Sequence, residues 1–393
     1  MNQIKSKKIV LINQHTTYLF IDIINSFCGE YDEVVLFAGV VKPMSVALNP
    51  AVKVVPITMY NKKNIITRSL SWVAGFVKSV FLINLFYRDH DVFVTSNPPL
   101  LNFINLFCKN NVSLLVYDVY PDALAAGGFV TKSNIVYRIW AGFNKRAFIK
   151  MQSITTLTNG MAKALSAYVD AGKIAVIPAW SNQNLSGAGE VSAKNEFTAK
   201  YHLRDKFLII YAGNLGLGYE LESLVELAKN LKETDAIQIV IIGEGFKHDI
   251  IQNMIADYSL TNCHLLPYQP ASSFLSMLQA MDIGVVSLEK GTSQIAIPSK
   301  TYNILGVGKP VICLGTKESD LAELIEHSHS GMSFTSDSID EMTSFVMKLY
   351  SNRAYYDQLS KNAVDTASKF TFRNADLMVK NHLNHAVGQK NNS

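Results

Sequence analysis

The stretch Gln294–Leu314, QIAIPSKTYNILGVGKPVICL, decides the fold class. Pro298 prevents a helix from extending upstream through it, and Ser299 is predicted to cap a helix over Lys300–Leu305. Two glycines then end this helix, and the apolar residues after them predict a short buried strand. Free backbone N–H groups, a capping hydroxyl and one ammonium group would lie side by side. The stretch therefore predicts a phosphate site, against the alternative of an ordinary capped helix in an α/β domain.

Short apolar runs alternate with helical patterns along the rest of the chain. Strands separated by helices predict a parallel sheet with helices on both faces. The predicted strands are Lys8–Ile12, Glu33–Phe37, Val52–Pro56, Asp91–Thr95, Ser113–Val116, Ser153–Leu157, Ala175–Pro178, Phe207–Tyr211, Ile237–Ile242, His264–Leu266 and Ile283–Leu288. The predicted helices are Thr67–Arg88, Asn134–Ile149, Glu220–Leu231 and Phe274–Met281.

A chain of 393 residues is too long for one typical core and predicts two domains. Ala179–Asn195 is polar, has no hydrophobic period and reads as a linker. We therefore predict a first Rossmann-like domain over residues 1–180, a linker over 179–205 and a second Rossmann-like domain over 206–370. Two α/β halves joined in this way predict a ligand-binding cleft between them.

No targeting or membrane-spanning segment is predicted from the sequence. The amino-terminal apolar run is too short for a signal peptide. The longest apolar candidate, Trp72–Tyr87, is interrupted by Lys78 and Asn84, so no span is expected. The four cysteines form no C-x-x-C pair and are expected to be buried thiols in a cytoplasmic protein.

Charge is divided unevenly between the two halves. Residues 1–180 contain 18 Lys+Arg and 9 Asp+Glu, whereas the remainder contains 18 and 23. The basic first half predicts contact with an anionic surface. Asn134–Lys150 mixes aromatic and basic residues, which fits interfacial membrane binding, although a core helix would show the same pattern. No nucleic-acid recognition pattern is present.

Three loops of the second half follow predicted strands: Tyr211–Gly216, Gly243–Gly245 and Gly291–Lys300. Open α/β sheets bind ligands at the carboxyl ends of their strands. A single G-x-G is usually only a turn, but three such loops at one edge together predict a nucleotide diphosphate site.

The order of motifs GNLG (213–216), VIIGEG (240–245), LQAMDIGVVSL (278–288) and PSKTYNILGVGKPVI (298–312) resembles family-4 retaining glycosyltransferases. TSNPP (95–99) and YDVYPDAL (117–124) of the first half agree. The resemblance runs from about Val10 to Gly331 and is nearest to bacterial O-antigen, capsule and colanic-acid enzymes, particularly fucosamine or fucose transferases. It implies the GT-B architecture, in which two Rossmann-like parallel-sheet domains face each other across a cleft. It also implies hinge closure at the linker and a C-terminal helix, 371–393, that crosses back to the first domain.

The resemblance also implies roles for individual residues. The glycine loop would face the donor diphosphate, the GEG turn and a tyrosine would lie beside the base, and the PSK motif would hold the phosphates. Lys300 would neutralise the charge that develops on the leaving nucleotide. The implied donor is a UDP-sugar, bound without a metal ion or other cofactor, and the implied donor-binding residues are Gly213, Asn214, Gly216, Glu244, Gly245, Tyr268, Pro298, Ser299, Lys300 and Asn303.

Three positions depart from the family pattern. The Glu-x7-Glu pair of many members is replaced by Ile295 and Asn303, and Asn303 would bond the ribose more weakly. Leu217–Glu220 lacks the usual Arg and Lys, which leaves Lys300 as the main cation. Tyr117 stands where a histidine commonly precedes the aspartate. We interpret these departures as features of one branch of the family.

Candidates for the acceptor side lie in the first half. Asp118 follows a strand and could orient an acceptor hydroxyl as a catalytic group, while Asp122 is the next candidate; both carboxylates could instead cap the following helix. His15 is placed in the loop after the first strand, where it would contact the transferred sugar or acceptor, or merely be solvated. Ser96 belongs to a proline-rich turn predicted to shape the acceptor side.

The sequence therefore predicts a glycosyltransferase that moves a sugar from a nucleotide donor, with retention, onto a lipid-linked saccharide. The expected acceptor carrier is a polyprenyl diphosphate, and the expected location is the cytoplasmic face of the plasma membrane, as a peripheral protein. Two alternatives remain at this point. A nucleotide-sugar 2-epimerase would share the architecture, and a non-catalytic membrane-associated partner subunit would keep the fold.

Overall fold

A computed structural model describes residues 6–43, 46–61, 65–126, 128, 130–181, 196–288 and 295–390. The chain divides into two compact units, which we call unit 1 (Met1–Asn182 with Phe372–Ser393) and unit 2 (Gln183–Thr371). Part of the predicted linker, 182–195, and part of the predicted loop Gly291–Lys300 lie outside the described residues.

Unit 1 is built on a seven-stranded parallel sheet with the strand order β3-β2-β1-β4-β5-β6-β7. Its strands are β1 (Lys8–Thr16), β2 (Glu33–Val41), β3 (Lys53–Pro56), β4 (Asp91–Thr95), β5 (Val112–Val116), β6 (Ser153–Thr156) and β7 (Ile174–Val176). Its helices are α1 (Tyr18–Phe27), α2 (Ile65–Phe86), α3 (Asp122–Ala126), α4 (Ile135–Lys150) and α5 (Asn159–Leu165), with a 3-10 helix over Pro99–Leu106 and another over Ala171–Lys173.

Unit 2 contains a six-stranded sheet, also parallel, with the order β10-β9-β8-β11-β12-β13. Its strands are β8 (Phe207–Ala212), β9 (Ile237–Ile242), β10 (Cys263–Leu266), β11 (Ile283–Ser287), β12 (Val311–Leu314) and β13 (Gly331–Phe334). The helices are α6 (Glu196–Lys200), α7 (Glu222–Asn230), α8 (His248–Asp257), α9 (Phe274–Ala280), α10 (Ser299–Gly306), α11 (Asp320–His327), α12 (Ile339–Ser351) and α13 (Arg353–Ala367), with a 3-10 helix over Ala271–Ser273.

The continuous apolar runs of unit 2 form central strands because both faces of its sheet are covered. Alternate residues of β8 divide between two apolar clusters: Ile209 and Tyr211 belong to one, Leu208 and Ile210 to the other. A parallel sheet covered by helices on both sides buries every residue of such a strand. The prediction of an α/β fold with parallel sheets is confirmed.

The last helix, α14 (Arg373–Lys390), packs against unit 1. The buried imidazole of His382 lies 2.8 Å from the Tyr31 hydroxyl and 2.7 Å from the Ser113 hydroxyl. Burial lowers the pKa of His382 to about 4, so its imidazole is neutral at pH 7. A neutral ring between two hydroxyls attaches the end of the chain to the first sheet without burying a charge.

Two strands of unit 1 are longer than predicted. The pairing of β1 with β2 continues to the end of both strands, where His15 is opposite Val40 and Thr16 opposite Val41. The prediction that His15 lies in a loop after the first strand is therefore wrong. Ladder pairing with a neighbouring strand keeps polar residues such as Asn13 and Gln14 in extended structure, although apolar periodicity ends at Ile12.

Helix α2 differs from the expectation for membrane spans. Among the described residues, it is the one helix that is long and apolar enough to cross a membrane by length and composition. Only 22% of its most apolar window is buried. The sequence analysis predicted this helix but rejected it as a span, because it required an uninterrupted apolar run; Lys78 and Asn84 interrupt the run, yet the average hydropathy of the helix stays high.

All four cysteines are free thiols. Cys263 and Cys313 are buried, in agreement with the prediction, whereas Cys28 and Cys108 are half-buried. Burial raises the pKa of all four thiols, so each is expected to stay protonated at pH 7.

Candidate active site

Two glycine loops meet at the carboxyl edge of the unit 2 sheet. The loop after β8 and the loop after β9 are joined by two backbone hydrogen bonds of 2.9 Å, Gly213 N–H to Ile242 O and Leu215 N–H to Glu244 O. Strands β8 and β9 are neighbours, so their carboxyl ends bring these loops together. The edge is the place where open α/β sheets bind ligands.

Glycine is required in the second loop. Gly243 has a φ of +150°, and a Cβ there would lie 1.8 Å from the Gly213 carbonyl oxygen. Gly245 also has a φ of +150°, and a Cβ there would lie 2.6 Å from the Leu215 carbonyl oxygen. Both the backbone conformation and the close approach exclude a side chain. The predicted glycines therefore build the contact between the two loops.

The ammonium group of Lys300 lies beside these loops. Its Nζ is 4.3 Å from the centroid of the Tyr211 ring, and a Cβ on Gly213 would lie 2.5 Å from it. Within the described part of the chain, Lys300 forms no ion pair with a carboxylate. Burial lowers the pKa of Lys300 to about 8. A partly desolvated cation without an acidic partner is suited to receive an anionic ligand.

The predicted capping role of Ser299 is wrong. Helix α10 begins at Ser299 itself, the residue before it is Pro298, and no side chain caps the first turn. Proline at the cap position has no side-chain oxygen, so only its carbonyl oxygen accepts from the first turn, from the Thr301 N–H at 2.9 Å. Ser299 is instead exposed at the first helical position. The helix therefore begins one residue earlier than predicted, and its Lys300 side chain lies beside the first glycine loop.

Tyr211 is a member of this site that sequence reasoning missed. Its ring is fully buried, and its hydroxyl donates a 2.7 Å hydrogen bond to the Asn214 carbonyl oxygen. Burial, followed by the nearby Tyr219 and Tyr268, raises its pKa, so the phenol remains neutral. The ring provides the face on which the Lys300 ammonium rests. The signal in the sequence that could have identified Tyr211 was its aromatic ring two positions before Gly213.

Lys247 is a second missed residue. Its side chain is mostly buried, donates a hydrogen bond to the Tyr219 carbonyl oxygen and pairs with Glu222 at 2.7 Å. Its backbone N–H donates to the Leu215 carbonyl oxygen at 2.8 Å. Lys247 therefore holds the segment from Leu215 to Tyr219, at the end of the glycine loop, and acts as a positioning residue. Its place two residues after Gly245 was the only signal in the sequence.

The remaining predicted donor-side residues are placed less closely. Tyr268 is 53% exposed in the loop after β10, and its hydroxyl is near enough to Tyr211 to affect that group's pKa. Asn303 is buried on α10, one turn after Lys300. Around Gly216, a Cβ would lie 3.0 Å from the Asn214 amide nitrogen, so that loop is also compact.

In unit 1, Ser96 and Asp118 lie at the carboxyl edge of the sheet. Ser96 is fully buried, and its hydroxyl accepts hydrogen bonds from the backbone N–H groups of Tyr117 (2.9 Å) and Asp118 (3.2 Å). Ser96 therefore supports the loop that carries Asp118. Burial raises the pKa of Asp118, and within the described residues its carboxylate has no hydrogen-bond or ion-pair partner. Asp118 does not cap α3.

Asp122 has a different environment. One carboxylate oxygen accepts a 2.7 Å hydrogen bond from the Tyr137 hydroxyl, and the other accepts one from Tyr168. These tyrosines come from α4 and from the segment after α5, so Asp122 ties two elements to the start of α3. His15 is half-buried on β1, where its backbone N–H donates to the Asn13 side chain at 3.1 Å. Of the four acceptor-side candidates, Asp118 is the one whose side chain is most available to a ligand, because its carboxylate has no partner among the described residues.

No group of three or more His, Cys, Asp or Glu side chains that could hold a metal ion is found among the described residues. The groups at the unit 2 edge that can bind a ligand are backbone amides, the Lys300 ammonium and aromatic rings. This set recognises phosphate oxygens and a planar base.

Comparison with known proteins agrees with this chemistry. The sequence profile of the family described as glycosyl transferases group 1 matches residues 193–366. WcaI of Escherichia coli K12, named as a colanic acid biosynthesis glycosyl transferase, is 25% identical over 56% of this chain. WbjE of Pseudomonas aeruginosa, named as a glycosyltransferase, is 23% identical over 69% of this chain and 69% of its own length. The match spans 58% of the length of WcaI.

Solved structures share the fold. WaaG, a glycosyltransferase involved in lipopolysaccharide biosynthesis, is 12% identical with a TM-score of 0.66, over 92% of this chain and 95% of WaaG. HepE of Anabaena, solved with UDP and glucose, is 13% identical with a TM-score of 0.71, over 96% of this chain and 99% of HepE. At these identities the likeness extends to the fold alone.

Proposed function

We propose that this chain transfers a sugar from a nucleotide-sugar donor in bacterial surface polysaccharide synthesis, because residues 193–366 match the glycosyl transferases group 1 family and the fold is shared with WaaG and HepE. The observation that carries the proposal is the Lys300 ammonium, which lies on the Tyr211 ring and against Gly213 without a carboxylate partner among the described residues. Relatives named as glycosyltransferases favour transfer over epimerisation.

The donor diphosphate is proposed to bind between the glycine loop and the start of α10. Backbone amides of the loop and of Ser299 and Lys300 would bond phosphate oxygens, and the Lys300 charge would be matched by the diphosphate. Glu244, Gly245 and Tyr268 would border the base, and Asn303 would face the ribose. In this proposal, protein groups balance the negative charge of the diphosphate, so no metal ion is needed.

In the proposed reaction, the bond between the anomeric carbon and the diphosphate oxygen breaks, and its electron pair stays on the diphosphate. A bond forms from an acceptor hydroxyl oxygen to the same carbon, with retention of configuration. Lys300 would stabilise the growing charge on the leaving group. Asp118 would orient the acceptor hydroxyl and accept its proton, because burial raises the pKa of this carboxyl group.

The acceptor is proposed to be a saccharide on a polyprenyl diphosphate, and the protein a peripheral one on the cytoplasmic face of the plasma membrane. The basic first half, with 18 Lys+Arg and 9 Asp+Glu over residues 1–180, supports contact with anionic lipid. The name of WcaI, with its colanic acid pathway, supports a surface polysaccharide as product.

A thermal-shift panel tests the donor proposal. UDP, GDP, ADP and dTDP and their sugars would be compared on the wild type and on Lys300→Ala, with UDP first because HepE was solved with it. We expect one nucleotide to raise the melting temperature of the wild type and to lose most of this effect in the variant. If no nucleotide stabilised the wild type, a non-catalytic partner subunit would explain the fold better.

A further inference from the structure

Helix α2 presents an apolar side to solvent. Six large side chains, each between 49% and 68% exposed, lie on this side: Ile66, Leu70, Val73, Val77, Phe81 and Leu85. Their spacing of three or four residues places them on one face of the helix. A continuous apolar surface of this length is rare on a soluble protein and marks an interaction site.

The opposite side of α2 packs inward, and apart from Ile83 its buried residues are small or polar. Ser71, Gly75 and Ser79 are buried. The Gln14 amide donates a 2.7 Å hydrogen bond to the Ser71 carbonyl oxygen, and a Cβ on Gly75 would lie 2.5 Å from the same amide nitrogen. The polarity of α2 is therefore reversed relative to a surface helix in water, which predicts an apolar medium on its outer side.

The apolar surface continues onto α4. Asn84 of α2 donates a 2.9 Å hydrogen bond to the Phe107 carbonyl oxygen, and the rings of Phe76 and Phe107 are 5.6 Å apart. Phe103 and Phe143 are 5.9 Å apart and join the same segment to α4. We call this surface the α2–α4 face; it consists of the six α2 residues named above, Phe107, Ile135, Ile139 and Phe143, all exposed.

The charge around this face has one sign. Residues 34–169 contain 14 Lys+Arg and 4 Asp+Glu, and none of the acids falls within 34–88 or 123–169. Within the described part of the chain, the exposed cations of α2 and α4 form no ion pairs: Lys78, Arg138, Lys145, Arg146 and Lys150. Cations without acidic partners beside exposed apolar side chains match the headgroups and acyl chains of an anionic bilayer.

We propose that the α2–α4 face lies in the headgroup–acyl boundary of an anionic membrane, with α2 parallel to the membrane surface. A transmembrane orientation is disfavoured because the inner side of α2 is hydrogen-bonded and packed onto the sheet through Ser71 and Gly75. A second copy docked face to face is disfavoured because a two-fold contact would bring the same cations together.

This arrangement would connect the membrane with the acceptor candidates. Gln14, near the end of β1, donates to the Thr58 carbonyl oxygen at 2.9 Å and to the Ser71 carbonyl oxygen at 2.7 Å. The first turns of α2 therefore lie at the carboxyl edge of the unit 1 sheet, next to His15. The step from membrane binding to a lipid-linked acceptor rests on the proposed function, whereas membrane binding itself does not.

Vesicle co-sedimentation of the full chain tests the inference. Vesicles of phosphatidylcholine alone would be compared with vesicles that also contain phosphatidylglycerol. We expect the wild type to bind the anionic vesicles and to be released by alkaline carbonate, as a surface-bound protein is. The Val77→Glu/Phe81→Glu variant is expected to bind about tenfold less, because two side chains must then carry charge into the acyl boundary.

A matched control uses two other exposed apolar residues of unit 1. Phe372 and Leu377, at and near the start of α14, are 48% and 49% exposed, and α14 packs against α1. The Phe372→Glu/Leu377→Glu variant is expected to bind vesicles as the wild type does. The Lys145→Glu/Arg146→Glu variant is expected to lose the preference for anionic lipid.

Four results would overturn the inference: no binding of the wild type to anionic vesicles, equal binding of the α2 variant and the wild type, equal binding to both lipid compositions, or retention in carbonate. The first, third and fourth need no variant, so they do not depend on variant folding. Nucleotide-dependent thermal shifts would be measured on the same samples. If the wild type failed to bind anionic vesicles but kept its nucleotide shift, only the membrane inference would be refuted; if it bound vesicles but showed no nucleotide shift, only the donor proposal would be refuted.

Discussion

The Nζ atom of Lys300 lies 4.3 Å from the centroid of the Tyr211 ring, although the two residues are far apart in the sequence. The ring belongs to strand β8, two residues before Gly213, and the ammonium belongs to the first turn of α10. An aromatic face compensates a buried cation only partly, so much of the cost of desolvation remains in the free protein. An anionic ligand would offset this desolvation cost, so changes at Lys300 test the proposed function.

Replacing Lys300 by methionine should separate stability from binding. The variant removes a buried charge but keeps a flexible apolar chain, so we expect the free protein to be unchanged or more stable by about 1 kcal/mol. Nucleotide-dependent stabilisation should disappear. Thermal and denaturant unfolding would measure both effects. Lys361→Met, at an exposed position of α13, is the control and should change neither. A clear loss of stability in Lys300→Met would contradict the assignment of a cost to this charge.

The pH dependence of donor binding should follow Lys300. Its pKa is lowered to about 8, so the ammonium form that matches a diphosphate is dominant below this pH and declines above it. Nucleotide-dependent stabilisation should therefore fall as the pH rises through about 8. The unfolded chain, with the ordinary lysine pKa of 10.5, binds more protons between these values, so this group raises the stability of the free protein as the pH rises from 8.

Measuring the thermal shift across this range, with and without nucleotide, checks both signs. The Lys300→Met variant should show neither trend, since it has no titrating group at this position. An identical pH profile in the variant would assign the effect to another group.

Alanine at Gly213 and at Gly243 should have different consequences. A Cβ on Gly213 meets the movable end of Lys300 at 2.5 Å and the Tyr211 hydroxyl at 3.1 Å, so the fold should tolerate it with a small shift of Tyr211 while the ammonium is displaced. A Cβ on Gly243 meets the Gly213 carbonyl oxygen at 1.8 Å at a φ of +150°, and neither can adjust cheaply. We expect Gly213→Ala to weaken nucleotide binding at nearly normal stability, and Gly243→Ala to lose about 3 kcal/mol of unfolding free energy.

Denaturant unfolding and nucleotide titration of both variants would test this contrast. Gly142→Ala is a suitable control, because a Cβ at Gly142 meets nothing within 4 Å. The interpretation fails if Gly213→Ala and Gly243→Ala have the same effect on stability.

Asp118→Asn and Asp122→Asn form another contrasting pair. The Asp118 carboxylate is without a partner in the described residues, so its replacement should leave the melting temperature unchanged and reduce transfer, with donor binding intact. The Asp122 carboxylate accepts hydrogen bonds from Tyr137 and Tyr168, so Asp122→Asn should destabilise unit 1 by about 1–2 kcal/mol. Transfer rate, nucleotide shift and melting temperature would be measured on both. Equal loss of transfer at unchanged stability in both variants would remove the distinction between them.

Local sequence patterns predicted the strands β1 to β12 in their order, but not β13 or helices such as α1, α8 and α12. A buried parallel strand needs a continuous apolar run, as in Ile237–Ile242, and a helix start needs a residue that cannot continue the preceding strand or helix, as Pro298 does. Both requirements involve only neighbours along the chain. The same applies to Gly243 and Gly245, whose backbone conformation excludes other residues.

Contacts between distant residues were decided by the tertiary structure. Pairing with β2 extends β1 to His15. The Ser96 hydroxyl accepts hydrogen bonds from the backbone of Tyr117 and Asp118, and two tyrosine hydroxyls donate hydrogen bonds to Asp122. Two further roles also depend on distant residues. Lys247 pairs with Glu222, and the Tyr211 ring lies against the Lys300 ammonium. None of these partners can be read from spacing, because each comes from another element.

Helix α2 shows the division most clearly. Its length and apolar composition were determined by the sequence alone, and so was the absence of acids over residues 34–88. Which side faces the sheet was decided by packing: Gly75 and Ser79 permit the close approach of Gln14 and its strand, and this turns Val77 and Phe81 outward. Periodicity identifies the two faces of a helix, but only the neighbouring sheet determines which one is buried.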